Sequence, residues 1–212
     1  MVWQYLVAVV FGYLLGSVPA GYVIGKVTRG IDIREYGSKK TGGTNVLRTL
    51  GLAAAVAVIV FDVAKGSASV LLARAISDEP YVQVVAGLAA VAGHVWPLYV
   101  GFRGGRGVSA AFGSVLAMDP LASVALIPVA ILIVATTRYM SLMSVGMAAI
   151  AAGVFVALAI AGVHPYAYAV FALIVAALII VLHRDNIERL LAGTERKIGQ
   201  REQVGGPTSG DG

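Results

Sequence analysis

Three polar segments interrupt an otherwise apolar sequence, and the residue types in the first of them suit the binding of phosphate. Residues 37–51 (GSKKTGGTNVLRTLG) combine glycines with hydroxyls, an amide and cations. Glycines permit backbone conformations that expose N–H groups, while hydroxyls and guanidinium groups donate further hydrogen bonds to an anion. A tight glycine turn whose cations merely follow membrane topology is the alternative. The residues that we assign to an anion site here are Ser38, Lys40, Gly42, Thr44, Asn45 and Arg48.

The second polar segment, residues 93–113 (GHVWPLYVGFRGGRGVSAAFG), places a glycine-rich turn directly before an apolar helix. The amino end of a helix, with free N–H groups and a favourable dipole, attracts anions. The GxxxxGK[ST] spacing is absent, so nucleotide hydrolysis is not predicted. His94 is either a core histidine or a site residue. The predicted phosphate-binding residues of this turn are Arg103, Gly104, Gly105, Arg106 and Gly107.

The third polar segment, residues 183–195 (HRDNIERLLAGTE), follows the last apolar block. On a helix His183 and Asn186 lie one turn apart on the same face, where they offer a proton carrier and an amide to a polar substrate. A helix end whose polar groups simply meet water is the alternative. We expect Glu195 and the neighbouring arginines to form a structural charge network.

Two further pairs of polar residues lie within apolar blocks. Asp62 and Lys65 are three residues apart on one helix face and can neutralise each other. Charges inside a membrane usually line a cavity, so we expect a supporting role for this pair. Ser141 and Ser144 also share a helix face and are candidate substrate-binding residues, although serines in membrane helices commonly serve packing.

The composition indicates an integral membrane protein. Of 212 residues, 58% are hydrophobic and only 13% are charged, too few to cover a soluble surface. The sequence contains no cysteine, which excludes disulfides, thiolate metal sites and a thiol nucleophile. The net charge of +5 is consistent with Lys and Arg facing lipid headgroups on the cytoplasmic side, and we do not expect nucleic acid as a partner.

The apolar blocks predict an all-α, polytopic membrane helix bundle with seven transmembrane helices. A span must cross about 30 Å of hydrocarbon. The charges in successive loops alternate, which places the amino terminus outside, the carboxyl terminus in the cytoplasm and all three polar segments on the inner face. The short fourth block is alternatively a half-helix. The blocks cover residues 2–26, 52–75, 81–100, 108–118, 121–136, 140–162 and 165–183.

We expect one transmembrane domain over residues 1–198, ending in an amphipathic surface helix, and a disordered cytoplasmic tail over residues 199–212. The amino-terminal block lacks the cationic start of a signal peptide and runs apolar for longer than such a peptide does. It is therefore predicted to be a retained first span.

In order and spacing the segments resemble the acyl-phosphate:glycerol-3-phosphate acyltransferases of bacterial membranes, the PlsY family. The resemblance runs from GSVPAGYVIGK through DIREYGSKKTGGTNVLR, FDVAKG, GHVWPLYVGFRGGRGV and RYMSLMS to HRDNIERLLAGTE. It implies acyl transfer from a fatty acyl phosphate to the sn-1 hydroxyl of glycerol 3-phosphate, which gives 1-acyl-glycerol 3-phosphate for phospholipid biosynthesis. It further implies seven spans in the bacterial plasma membrane, an active site on the cytoplasmic face and no cofactor, and it is compatible with a partner enzyme that makes the acyl phosphate.

Roles for individual residues also follow from this resemblance. Ser38 and Arg48 match the serine and arginine of the family's first motif. Glycines 104, 105 and 107 match its phosphate loop. His183 and Asn186 match its active-site pair, and Glu195 matches its structural acid. Two departures from the usual pattern concern the anion contacts. The chain has GSKK where the family usually has GSGN, and FRGGRG where it has FKGGKG. Arginine binds phosphate as a planar fork and lysine as a point charge, so these replacements alter contacts while keeping the charge.

Two other classes of membrane protein share some of these features. A transporter of small phosphorylated anions also uses glycines at helix starts and intramembrane charges, but it would be expected to show inverted internal symmetry, which the sequence does not display. A CDP-alcohol phosphotransferase needs clustered aspartates to bind a divalent metal, whereas Asp62 has no aspartate near it in the sequence.

An acyl phosphate is already activated, so direct attack by the acceptor, with the departing phosphate taking the proton, needs no protein nucleophile.

Overall fold

The computed structural model describes residues 2–200, and within this range the regular elements are helices. Short 3₁₀ turns at Ile33–Glu35 and Leu98–Val100 lie in the two loops that carry the first and second polar segments. The α-helices are α1 (Val2–Gly16), α2 (Ala20–Arg29), α3 (Gly43–Thr49), α4 (Leu52–Ile76), α5 (Pro80–Val95), α6 (Val108–Met118), α7 (Pro120–Ala125), α8 (Ile127–Thr137), α9 (Met140–Ile160), α10 (Tyr166–Leu182) and α11 (Arg184–Leu191).

Five helical stretches in the described residues are long and apolar enough to cross a membrane, and α10 with α11 is a sixth candidate that bends by 61°. Helix α6 has 11 residues and a length of about 16 Å, roughly half of the hydrocarbon thickness. The seven apolar blocks are thus helical, while seven crossings and the orientation stay predictions. The five stretches are Val2–Arg29, Leu52–Ile76, Pro80–Val100, Pro120–Thr137 and Met140–Ile160.

Prolines mark several of the helix boundaries. Pro80 and Pro120 occupy the first turns of α5 and α7, where a missing N–H group costs nothing because that group has no helical partner. Pro19 lies in the break between α1 and α2, and Pro165 precedes α10. These residues explain why an apolar block such as 2–26 forms two helices rather than one.

Glycines allow the helices that carry the site to approach closely. Helices α4 and α6 meet through Gly66 and Gly113, where an added Cβ would lie 2.1 Å from the Ala110 carbonyl oxygen and 2.0 Å from the Val63 carbonyl oxygen, respectively. At Gly16 the corresponding distance from α1 to the Ala90 oxygen of α5 is 2.2 Å. Backbone contact of this kind holds helices together in lipid, where no hydrophobic force drives association.

Gly113→Ala is expected to lower the thermal unfolding midpoint of the purified protein. The new methyl group cannot fit against Val63, so α4 and α6 must separate, at a cost of about 1–3 kcal/mol. Gly153→Ala in α9 is the matched control, because an added Cβ there meets no atom within 4 Å and Ala is favoured over Gly in a helix by about 0.5–1 kcal/mol. Equal midpoints for the two variants would contradict the proposed role of the α4–α6 contact.

The segment after α11 folds back over the amino end of α9. The Ile198 N–H group donates to the Arg138 carbonyl at 2.8 Å, and Arg138 Nη2 donates to the Ile198 carbonyl at 2.7 Å. The predicted surface helix is therefore confined to α11, and the chain continues as a docked strap. Residues 201–212 of the tail that we predict to be disordered lie outside the described range.

Candidate active site

One cavity of about 430 Å³ lies among α3, α4, α6, α8, α9 and α10. Polar residues line one end of this cavity, and apolar residues line the rest of it. The lining is polar where the loops meet the helix ends, and it includes Ser38, Lys40, Thr44, Arg106 and His183. Between the helices it is apolar, with Phe112, Val115, Ile127, Ile131, Met143, Met147, Val175 and Ile179. Such a cavity matches a molecule with a charged head and a hydrocarbon tail.

Asn45 organises the loop that carries the first polar segment. Its side-chain Nδ2 donates to the carbonyls of Ile33 and Tyr36, both at 3.1 Å, and of Lys40 at 2.9 Å, while Oδ1 accepts from the Ser38 N–H group at 2.9 Å. The residue is 2% exposed. Its amide thus binds backbone groups and holds Ser38 and Lys40 at the edge of the cavity.

The cations near the cavity are close enough to repel one another. Burial lowers the pKa of Lys40, and the neighbouring Arg106 and Arg103 lower it too, whereas Asp185 opposes them. An anion placed between these groups would relieve the repulsion. Arg103 itself is exposed and is not among the residues that line the cavity, although it is close enough to affect the pKa of Lys40.

Gly104 and Gly105 make the loop lie directly against the end of α5. Their N–H groups donate to the carbonyls of Val95 and His94 at 3.2 and 3.1 Å. An added Cβ would lie 2.1 Å from the His94 carbonyl oxygen at Gly104 and 2.1 Å from His94 Nε2 at Gly105. These two N–H groups are therefore used within the protein, and the glycines serve close approach.

The carboxyl-side half of the same loop faces the cavity. Gly107, with a φ of 84°, precedes α6 and lines the cavity together with Ser109. The first N–H groups of a helix have no carbonyl one turn before them, so they can bind an anion here. Arg106 donates from Nε to the Leu182 carbonyl at 3.0 Å. Burial lowers the pKa of Arg106, Asp185 and Glu195 oppose this effect, and Arg189 and Arg48 add to it.

The third polar segment follows the end of α10. His183 Nδ1 lies 2.8 Å from the Ile179 carbonyl, which only accepts, so Nδ1 donates and Nε2 of the neutral ring is an acceptor. The Asn186 Nδ2 group donates to Glu195 Oε1 at 2.8 Å. The buried Asn186 Oδ1 has no hydrogen-bond partner in the described part of the chain, and Asn186 lies one helical turn beyond His183, which lines the cavity.

Glu195 orients the groups around it. It accepts hydrogen bonds from Asn186, from Arg189 Nε at 2.8 Å and from Ser141 Oγ at 3.0 Å. Although burial opposes the effect, these bonds lower the pKa of Glu195. A carboxylate only accepts hydrogen bonds, so Glu195 fixes the amide of Asn186 with its Nδ2 group toward the carboxylate. Ser141 thus serves this network, whereas Ser144 lines the cavity and donates to the Met140 carbonyl at 2.9 Å.

Arg48 lies at a smaller neighbouring cavity of about 170 Å³, beside the docked strap. Its Nη2 donates to the Arg196 carbonyl at 3.1 Å. The guanidinium is nevertheless close enough to Arg106 to affect the pKa of that residue. The residues of the three polar segments therefore gather at one end of the bundle, as the predicted anion site requires, with Arg48 on the strap side.

The charged pair within α4 is buried below this polar end. Lys65 Nζ lies 2.8 Å from Asp62 Oδ1, so the pairing expected from their spacing is present, and His94 Nδ1 lies 3.3 Å from the same oxygen. These side chains are at most 5% exposed. Asp62 and His94 also line the cavity, which connects the pair to the site.

The residues that line the apolar part of the cavity were not predicted from the sequence. Met140, Met143 and Met147 lie on one face of α9 and line the cavity together with Phe171 of α10. A signal was present, because three of the five methionines recur at this helical spacing. Methionine side chains adapt their shape to an apolar partner, as a flexible hydrocarbon chain would require.

Comparisons with known proteins agree on one family. A sequence model of the family described as glycerol-3-phosphate acyltransferase matches residues 6–193. The chain is 43% identical to glycerol-3-phosphate acyltransferases of Parasynechococcus marenigrum, over 92% of this chain and 91% of that protein, and of Shouchella clausii, over 95% and 99%. It is also similar to crystal structures of PlsY (YgiH), an integral membrane glycerol 3-phosphate acyltransferase. The glycerol 3-phosphate form has a TM-score of 0.84 and 39% identity, and the lysophosphatidic acid form 0.82 and 38%; each comparison covers 92% of this chain and 96% of that one.

Proposed function

Because the chain belongs to the glycerol-3-phosphate acyltransferase family, we propose that it transfers a fatty acyl group from a fatty acyl phosphate to the sn-1 hydroxyl of glycerol 3-phosphate. Membership of the family, predicted from the motifs, is confirmed, and so is the class of enzyme, a multi-pass membrane acyltransferase of phospholipid biosynthesis. The similar PlsY structure in its lysophosphatidic acid form supports 1-acyl-glycerol 3-phosphate as the product.

The observation that carries the proposal is the division of one cavity into a cationic end and an apolar body. Along α10 the lining runs from His183 to Phe171, about 18 Å at the rise of an α-helix. This length suits a long fatty acyl chain, which would lie between α8, α9 and α10. The carbonyl and phosphate of the donor would then reach the end that holds Lys40 and Arg106.

The proposed reaction needs no protein nucleophile. The sn-1 hydroxyl oxygen attacks the carbonyl carbon of the acyl phosphate, and a new ester C–O bond forms. The bond from that carbon to the phosphate oxygen breaks, the phosphate leaves with the electron pair, and the proton of the hydroxyl passes to it. The enzyme then acts mainly by aligning the two substrates and by stabilising the charge that develops on oxygen.

The placement of the side chains suggests a division of roles. Arg106 and the first turn of α6 hold phosphate, with Arg48 contributing from the strap side. Ser38 Oγ donates to the reacting oxygen. His183 lines the cavity, and its Nε2 accepts the hydrogen bond of the attacking hydroxyl and orients that oxygen until the proton passes to the departing phosphate. Glu195 holds the amide of Asn186 one turn further along, through Nδ2.

The location of this site in the cell follows from the distribution of charge. We infer that the protein lies in the bacterial plasma membrane with its amino terminus outside and the site at the cytoplasmic surface, where both phosphorylated substrates are soluble or accessible. Lys and Arg concentrate in the loops and the tail at this end of the bundle, including Lys40, Arg48, Arg106 and Arg189. An enzyme that makes acyl phosphate would supply the donor on the same side.

The donor assignment is tested with the purified protein in lipid, labelled glycerol 3-phosphate and no added metal. Palmitoyl phosphate is expected to give 1-palmitoyl-glycerol 3-phosphate, identified by the position of the ester in its NMR spectrum, whereas palmitoyl-CoA gives no product. Product from palmitoyl-CoA alone, or an ester at the sn-2 position, would contradict the proposal. Counterflow of labelled glycerol 3-phosphate into sealed proteoliposomes, without donor, would instead support a transporter.

A further inference from the structure

We propose that Lys65, Asp62 and His94, the buried triad, position the glycine loop of residues 104–107 and thereby set the affinity for the phosphate of glycerol 3-phosphate. The three side chains contact one another, and the ring of His94 lies directly against Gly105 of that loop. This inference rests on the proposed function, in which the loop and the first turn of α6 hold the phosphate of the acceptor. The three residues are positioning residues, because they act through the loop backbone.

Lys65 fixes the carboxylate of Asp62. Its Nζ lies 2.8 Å from Asp62 Oδ1 and donates to the Val18 carbonyl at 3.0 Å. Val18 lies in the break between α1 and α2, where Pro19 has no N–H group to offer. Lys65 thus joins α4 to the break in the first span, and the carboxylate is held from one side by a cation that is itself held by backbone.

Asp62 in turn fixes the ring of His94. The Nδ1 atom lies 3.3 Å from Asp62 Oδ1, and because a carboxylate only accepts hydrogen bonds, this contact favours the proton on Nδ1. In the neutral ring Nε2 then has no proton and points toward Gly105, where an added Cβ would lie 2.1 Å from it. A histidine whose one nitrogen is bound to a carboxylate has a fixed tautomer and ring orientation.

The loop follows the shape of His94. The Gly105 N–H group donates to the His94 carbonyl, the Gly104 N–H group donates to the Val95 carbonyl, and both glycines lie too close to His94 for any side chain. A rotation of the imidazole would therefore displace Gly105 and, with it, Arg106 and Gly107. Those two residues line the cavity where the acceptor phosphate is proposed to bind.

Charge neutralisation alone does not explain this arrangement. A buried ion pair in a helix is commonly no more stable than apolar residues of similar size, so stability gives little reason to keep Asp62 and Lys65. A role in binding explains Asp62 and Lys65 better. The pair lies between α4 and α5 beside the cavity, and His94 connects it to the glycine loop. Removing both charges together separates these two explanations.

The double variant Asp62→Leu with Lys65→Met leaves no unpaired charge in the membrane and no acceptor for His94 Nδ1. Its binding of glycerol 3-phosphate is measured by calorimetry in lipid nanodiscs without acyl donor. We expect the Kd to rise about tenfold, the effect of losing one or two polar contacts that hold the ring of His94 against the loop. The KM for palmitoyl phosphate is expected to stay near that of the unmodified protein. A Kd equal to that of the unmodified protein would overturn the inference.

The matched control is Asp119→Asn with His164→Gln. This largely buried pair, 2.5 Å apart, lies at the other end of α6 and is remote from the glycine loop. We expect no change in the Kd for glycerol 3-phosphate, although the midpoint of unfolding falls. An equal rise in Kd for both double variants would show that loss of stability, and not the loop, weakens binding, and the inference would fail.

The tautomer of His94 can be observed directly by NMR spectroscopy. The chain has three histidines, so the ¹⁵N spectrum of histidine-labelled protein is assigned by comparison with His94→Gln. His94 is expected as the Nδ1–H tautomer, and this preference is expected to weaken in the double variant at Asp62 and Lys65. An Nε2–H tautomer in the unmodified protein would overturn the inference. If glycerol 3-phosphate binds but palmitoyl phosphate gives no product, the donor assignment is wrong and the inference about the triad is unaffected.

Discussion

Ser38→Ala is expected to lower kcat by about 10²–10³-fold, the usual effect of removing one donor to the oxygen that gains charge in acyl transfer. The KM for glycerol 3-phosphate is expected to change little. The reason is that Ser38 lines the cavity, while the backbone of the loop is held independently by Asn45, which accepts from the Ser38 N–H group and donates to the Lys40 carbonyl. The hydroxyl can therefore be removed without releasing the loop.

Steady-state kinetics with palmitoyl phosphate and glycerol 3-phosphate check this expectation. Thr136→Ala is the matched control, because its exposed hydroxyl donates to the Leu132 carbonyl on α8 and lies outside the cavity lining. This control is expected to retain the kcat of the unmodified enzyme. A Ser38→Ala enzyme with unchanged kcat, or one in which the KM for glycerol 3-phosphate alone rises, would assign Ser38 to substrate binding and refute its proposed role in the transition state.

The helices were predictable because membrane spans have a strong local signal, whereas their interruptions depend on the rest of the bundle. Each apolar block is helical, and the bend after residue 182 coincides with the end of the last block. The divisions at Ser17–Pro19 and at Leu126 were not expected. At the first of them Lys65 binds a carbonyl freed by the break, a contact between residues 47 positions apart that no local pattern reveals.

Contacts within one helix could be predicted in the site, and those between segments could not. The Asp62–Lys65 pair follows from helical spacing alone. The addition of His94 to that pair, and of Ser141 to Glu195, required the positions of α5 and α9 relative to their neighbours. For the same reason the residues of the three polar segments were expected to meet, but the sequence did not indicate which of them face the cavity.

Two glycines of the second polar segment belong to a motif that was predicted, but their structural role differs from the predicted one. The loop of residues 104–107 was predicted to offer its N–H groups to phosphate, yet Gly104 and Gly105 use theirs on carbonyls of α5, and the groups at the start of α6 remain. Lys39 stands where the family usually has glycine, and its φ of 56° lies in the left-handed region that favours glycine. The departure at this position therefore carries a backbone strain that the composition of the motif alone did not indicate.

Arg106→Gln is expected to raise the KM for glycerol 3-phosphate by about 10- to 100-fold with a much smaller change in kcat. Hydrogen bonds that involve a charged group contribute about 1.5–3 kcal/mol, which corresponds to this range of affinity. Arg106 lines the polar end of the cavity, and its Nε–H group is held by the Leu182 carbonyl, so the rest of the guanidinium is aimed by a fixed anchor. Glutamine keeps an N–H donor at the position of Arg106 Nε and removes the charge and the terminal guanidinium nitrogens.

Two further variants separate charge from shape in the same kinetic assay. Arg106→Lys, which restores the residue usual in the family, is expected to give a KM between those of the unmodified enzyme and Arg106→Gln, because a point charge replaces a planar fork. Arg29→Gln, at the exposed end of α2, is the matched loss of one cation outside the site and is expected to leave the KM unchanged. If Arg106→Gln lowers kcat and leaves the KM as it was, then Arg106 stabilises charge in the transition state and does not hold the acceptor in the ground state.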